Sequence, residues 1–344
     1  MKKYLYVVAS IIFTFLILKE AQFIFAPLCL GLVFAVLLSP LSDKLEGIKM
    51  NRTMAGTLVT FSFFALLFAS VYFISNQYIS MANEMPDVQN KVEETGDDLV
   101  SFLGQKTPYN HKEITAFIDD TLDKMVTNFG AYFSSAIDSI TGVISFLILL
   151  PVYTFLILIN RKKIRTFIDK LSVENEHVSK IKWYKNLLQI SNMLRKYLLG
   201  LIIVAGILAV LNITGLYLLG VKYALILGLS AAALSVIPYI WNIVGGGFAL
   251  FVTYASSSNT WVLLGVLILF VVIQFIEGNL ITPKIMGNQL GINPLIVIIA
   301  LLIGGYVWGI TGMILSLPAV AIFKILLSNN KPTEPLAVLI SEEN

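Results

Sequence analysis

Residues 274–284 read Gln274-Phe275-Ile276-Glu277-Gly278-Asn279-Leu280-Ile281-Thr282-Pro283-Lys284. The same stretch runs on through Gly304-Gly305-Tyr306-Val307-Trp308-Gly309-Ile310-Thr311-Gly312 to Leu317-Pro318. Long apolar segments flank it. From 197 to 330 the only Asp, Glu, Lys, Arg or His residues are Lys222, Glu277, Lys284 and Lys324. Sequence of this kind belongs in a bilayer, where a crossing helix needs about 20 apolar residues. A carboxylate left in hydrocarbon is costly unless it meets water, a partner or a proton.

Glu277 therefore has two readings. In one it lines a polar path. Gln274, three residues earlier, shares its helix face, and Asn279 adds a third polar group. A desolvated carboxyl group can load and release a proton, so the trio forms a proton- or cation-responsive site. In the other, Glu277 sits at a helix end in headgroup water, paired with Lys284. Pro283 supports this second reading, because a helix tends to stop just before a proline.

The composition extends the membrane argument to the whole chain. Of 344 residues, 57% are hydrophobic and 13% charged, with a mean hydropathy of +0.83. A soluble protein carries roughly a quarter charged residues. The expected class is all-α: a polytopic integral membrane protein with a helical insertion outside the membrane. The lone Cys29 allows no intrachain disulfide and no thiolate metal site. His111 and His177 both fall in polar segments. No Walker A, H-E-x-x-H or G-x-S-x-G motif is present. The expectation is a protein that is not an enzyme, with no cofactor, metal or nucleic-acid partner.

Along the chain, 4–18 and 21–41 read as a helical hairpin with Lys19-Glu20 as its turn. Lys2 and Lys3 precede it, and no small-x-small cleavage site follows, so the first apolar run reads as a retained span. Residues 53–78 form a third span, which closes an N-terminal part at 1–78. Residues 79–136 then carry ten acidic against four basic side chains, an acidic helical module. Residues 137–160 form a fourth span containing Pro151. The segment 161–196 carries ten basic residues against Asp169, Glu174 and Glu176, which marks a cytoplasmic loop by the positive-inside rule. Trp183 and Tyr184 suit an interfacial helix on that surface. Lys44, Lys49 and Arg52 place the second turn on the same side. Both termini are then cytoplasmic, the acidic module lies outside, and residues 329–344 form a cytoplasmic tail.

The remaining part, 197–328, resembles a transport machine. Its first span, 198–219, is interrupted by Asn212 and Thr214. The next, 221–254, is broken by Ile237-Pro238-Tyr239-Ile240-Trp241-Asn242 and by Gly245-Gly246-Gly247. The last, 294–327, is broken at Gly304-Gly305 and Gly309. About eight principal spans result, the sixth and eighth discontinuous or re-entrant. Non-helical backbone at membrane depth is tolerated where protein buries it or where it lines a watery cavity. Secondary transporters build substrate and ion sites from such interruptions. The blander alternative is that these prolines and glycines only kink and pack helices, as Gly305-x-x-x-Gly309 would. Lys222 and Lys324 read as snorkelling interface anchors.

Ile276-Glu277-Gly278-Asn279, Pro283-Lys284-Ile285-Met286-Gly287, Pro294-Leu295, Gly304-Gly305-x-x-Trp308-Gly309-Ile310-x-Gly312 and Leu317-Pro318 resemble the C-terminal signature of the AI-2E transporter family. Arg195-x-Tyr197-Leu198-x-Gly200 resembles the motif opening its fifth span, with Leu201 where the family usually has Gln. The family's Ile-Pro-Tyr-x-Gly-Pro break reads here Ile237-Pro238-Tyr239-Ile240-Trp241-Asn242. Trp241 is far bulkier than Gly, so a cavity there should be smaller or differently shaped. The resemblance implies a multi-pass protein of the bacterial cell membrane, a homo-oligomer, exporting a small quorum-sensing furanone or exchanging sodium for protons. The residues and the resemblance together give a candidate substrate and ion path of Glu277, Gln274, Asn279, Asn242, Pro238, Tyr239 and Asn212. The helix-break and packing positions are Gly245, Gly246, Pro283, Gly304, Gly305 and Gly309. A third class stays open: a scaffold without transport that binds partners through its acidic module.

Overall fold

The computed structural model describes residues 2–83, 140–174, 180–238, 240–256, 259–287, 290–329 and 333–342. The acidic module expected at 79–136 lies outside the described residues from 84 onward, as do His111 and His177. Every regular element among the described residues is helical, apart from an isolated antiparallel bridge between Ile292 and Ser341. The helices are α1 (Lys2–Glu20), α2 (Gln22–Gly47), α3 (Arg52–Asn83), α4 (Ile140–Glu174), α5 (Lys180–Leu218), α6 (Ala224–Leu234), α7 (Ile240–Ser256) and α8 (Thr260–Ile276). A π turn (Glu277–Ile281), α9 (Thr282–Met286), α10 (Pro294–Ser328) and α11 (Glu334–Ile340) follow. Among the described residues, Gln22–Gly47, Arg52–Met81, Asn186–Leu218, Trp261–Met286 and Pro294–Ser328 are long and apolar enough to cross a membrane.

Two features differ from the sequence expectation. The first turn contracts to Ala21, so α1 runs through Lys19 and Glu20. The basic segment is helical at 161–174 and again at 180–196, extending α4 and starting α5. Charge ends an apolar run; it does not end a helix, because Lys and Arg have good helix propensity.

The chain divides into two compact units. The first comprises Met1–Phe68, Ser145–Val204 and Asn279–Asn344. Leu30, Val33 and Leu37 of α2, Phe64 of α3, Leu150 of α4, Tyr197 and Leu198 of α5, and Leu315 and Leu317 of α10 form its core. Phe34, Phe63 and Phe64 pack against one another with ring centroids 5.2–5.8 Å apart. The charged residues gather beside this core. Arg161 of α4 donates to Asp43 and to Glu46 of α2 (2.6 Å to Glu46), and Arg195 of α5 donates to Ser39 Oγ at 2.7 Å. Arg52 of the second turn lies 3.6 Å from the same Glu46, so the turn and the basic segment meet at that carboxylate.

Within this unit α10 is no straight helix. Trp308 (φ −133°, ψ 22°) and Gly309 (φ 57°, ψ −138°) are non-helical. Gly304 and Gly312, about 12 Å apart along a continuous helix, instead lie backbone against backbone. A Cβ at Gly304 would also fall 3.2 Å from Ser316 Cβ. The chain reverses at Trp308-Gly309, and α10 is a helical hairpin. Gly309 supplies the positive φ that the reversal needs.

The second unit comprises Ala69–Ile144 and Ala205–Gly278. It contains its own hairpin. Ala231 of α6 and Gly245 of α7, about 21 Å apart along a continuous helix, approach so closely that a Cβ at Gly245 would sit 3.0 Å from Ala231 Cα. The reversal falls at Ser235–Pro238. Leu208, Asn212 and Leu216 of α5 form a fully buried stripe at four-residue spacing. Tyr78 of α3 donates to Ser230 Oγ of α6 at 2.6 Å.

Candidate functional site

The candidate site belongs to the second unit and begins at the hairpin tip. Past Pro238 the chain enters α7, and Trp241 lies in its first turn, 2% exposed. A buried indole needs an acceptor for its N–H. Trp241 Nε1 donates to Oε2 of Glu277 at 3.0 Å. The bond follows from how α7 packs on α8: Gly246 faces Phe270, where a Cβ would fall 3.1 Å from the ring. Five residues back along α7 and seven forward from Phe270 bring Trp241 opposite Glu277, so the helices run antiparallel.

Glu277 stands at the start of the π turn, not at the end of the helical run. A π turn holds one extra residue per hydrogen-bonded ring and recurs at functional positions. Its presence also explains Pro283. Proline lacks an N–H and clashes with the carbonyl four residues back, here Asn279, which lies inside the wider turn. The helical run therefore continues past Pro283 to Met286 and ends at Gly287, φ 54°. The expected stop at Pro283 is displaced by three residues.

Three more polar side chains of this unit carry buried oxygens. Gln274 Oε1, one turn before Glu277, and Asn242 Oδ1, next to Trp241, have no hydrogen-bond partner among the described residues. Asn212 is 0% exposed; its Nδ2 donates to Leu208 O at 2.8 Å, while its Oδ1 has no partner among the described residues. Leaving a buried acceptor unsatisfied costs about 1–3 kcal/mol. These are the chemical groups that accept from a donor or coordinate a hard cation. Among the described residues no cluster of His, Cys, Asp or Glu could hold a resident metal.

Of the path residues chosen from sequence, Glu277, Gln274, Asn242, Asn212 and Pro238 fall in this unit, and the Trp241 bond ties the hairpin to the Glu277 turn. Asn279 follows Glu277 in the π turn and falls in the first unit. Tyr239 lies outside the described residues. Gly245 and Gly246 are contact points of α7. Gly304, Gly305 and Gly309 belong to the α10 hairpin of the first unit, where Gly305 meets the Met313 side chain. Sequence reasoning read Trp241 as a bulky ring narrowing a cavity, a belt aromatic or a stacking surface, not as a hydrogen-bond donor, and did not select Gly312. The signals were present: an indole and a carboxylate each needed a partner, and Gly304 and Gly312 are symmetric about Trp308.

A family model described as AI-2E family transporter matches residues 5–331. The chain is 28% identical over 317 residues to YrrI of Bacillus subtilis (strain 168), named as a transport protein, covering 88% of this chain and 86% of that one. It is 26% identical over 315 residues to YueF of the same organism, covering 89% and 84%. It is 25% identical over 315 residues to PerM of Escherichia coli (strain K12), named as a permease, covering 88% and 86%. The match runs from α1 past the α10 hairpin and takes in both broken helices: the chain is a multi-pass membrane protein belonging to the AI-2E transporter family.

Proposed function

We propose that the protein is a secondary-active transporter that exports a small solute of the autoinducer-2 kind, driven by a proton or sodium gradient, with Glu277 as the group that takes up the coupling ion. The reading rests on one observation: the Glu277 carboxylate is held at 3.0 Å by the buried Trp241 indole, beside a reversed helix and within a π turn. Gln274, Asn242 and Asn212 supply the neutral oxygens that such a path uses. In this reading both termini are cytoplasmic, Asn279 and Tyr239 belong to the path, and the protein works as a homo-oligomer. The test is purified protein in liposomes under imposed proton and sodium gradients. Glu277→Gln is expected to abolish coupled flux while the folded yield is unchanged. Flux equal to the parent overturns the reading.

A sodium/proton antiport on the same scaffold is favoured by Trp241. Where the family motif has a small residue, a buried indole fills the space beside the carboxylate. That leaves room for a bare cation more readily than for an organic solute. Sodium-dependent proton movement with no organic solute present is its expected result.

A further inference from the structure

We propose that the groove between the two arms of the α10 hairpin and α1 is a binding site for an anionic phospholipid, one acyl chain lying in the groove and the headgroup at Lys19. The groove holds about 380 Å³, within the range of small-molecule sites. Phe15 and Leu18 of α1 form one wall; Ile299, Ile303, Leu315 and Val320 are among the α10 residues facing it. Its two polar side chains are already occupied. Ser316 donates to Met313 O at 2.7 Å, and Trp308 Nε1 donates to Leu18 O at 2.8 Å. The wall leaves a polar solute no free side-chain donor and is otherwise apolar, so the groove suits hydrocarbon.

The rim carries the opposite chemistry. Lys19 follows Leu18 directly, and its Nζ lies 4.0 Å above the Tyr306 ring, while Phe15 stacks on that ring at 6.3 Å. A fixed cation thus stands at the edge of an apolar slot. Glu20, the neighbouring carboxylate, projects about 100° away around the helix. An apolar chain joined to an anionic head fits both parts. The bilayer itself supplies such a molecule, and a lysine at its surface gains from anionic lipid.

The test uses the full chain in mild detergent, offered phosphatidylglycerol or phosphatidylcholine with identical acyl chains, with bound lipid counted by native mass spectrometry. Phosphatidylglycerol is expected to be retained about fivefold over phosphatidylcholine, the worth of one lysine near an anionic surface. Lys19→Gln should abolish the preference and Lys19→Arg should keep it. Ala319→Phe, which fills the groove at an exposed position, should lower retention of both lipids. Equal retention of the two lipids by the parent, a preference that survives Lys19→Gln, or undiminished binding in Ala319→Phe overturns the proposal. Loss of subunit association in Ala319→Phe with lipid retention unchanged assigns the groove to a second copy of the chain and also overturns it.

Discussion

The Trp241 indole N–H and Oε2 of Glu277 form a hydrogen bond of 3.0 Å that joins the first turn of α7 to the π turn after α8. A bond to a charged acceptor contributes about 1.5–3 kcal/mol, so Trp241→Phe, which keeps most of the ring volume, is expected to lose about that much. Trp241→Ala also opens a cavity and should cost about 3–5 kcal/mol. Thermal melts in detergent check both, and an unchanged midpoint for Trp241→Phe would show that the bond contributes nothing.

The α10 reversal makes a sharper prediction. A Cβ on Gly304 or Gly312 would strike the backbone of the other, not a side chain that can swing aside. Either glycine changed to Ala should destabilise the first unit by about 1–3 kcal/mol, the usual cost of overpacking. Gly247 is the control: a Cβ there meets nothing within 4 Å. Gly247→Ala should be neutral or stabilising by about 0.5–1 kcal/mol, since alanine is the better helix former. Paired melting curves decide between the two outcomes.

Arg161 tests the polar cluster of the first unit. Its guanidinium serves Asp43, Glu46 and Ser42, and the Arg161 and Glu46 side chains are 20% and 22% exposed. Arg161→Ala is expected to cost about 1–2 kcal/mol, less than a dry ion pair because water still reaches it. The exchange of Arg161→Glu with Glu46→Arg should recover part of that loss. A double-mutant cycle reads the coupling, and a coupling of zero would show that the contact is ornamental.

Two asparagines begin helices. Asn259 accepts from Trp261 N at 3.0 Å, and Asn293 accepts from Leu295 N at 2.9 Å. Each replaced by Ala should cost about 0.5–2 kcal/mol, the usual worth of an N-cap. Gly in their place should cost only a few tenths. Denaturation of the three forms at each position distinguishes a capping role from a packing one.

The helical membrane class was legible because apolar length is a local property, readable without knowing what packs on what. The break after Ile237 was legible too, since Pro238 and three glycines stand together. Reversal was harder to see: a broken span and a hairpin have the same hydropathy, and only the approach of Ala231 to Gly245 or of Gly304 to Gly312 separates them. Pro283 misled because a proline normally ends a helix, and nothing in sequence announces that a π turn will make room for it. Trp241 looked like a bulky departure from a family motif. Its polar edge finds Glu277 only once α7 folds back on α8, a contact 36 residues apart in sequence.

The strand-like tail after α11 is tied down. Asn293 N donates to Ile340 O at 2.9 Å, Glu342 N donates to Gly291 O at 2.9 Å, and Lys324 Nζ donates to the same Gly291 carbonyl at 2.6 Å. The approach to α10 is thereby clasped, and a truncation at Thr333 would remove the Ile340 and Glu342 bonds while leaving that of Lys324. Shortening the chain ahead of Ile340 would loosen the entrance to the hairpin, because Asn293 and Gly291 would lose those backbone partners.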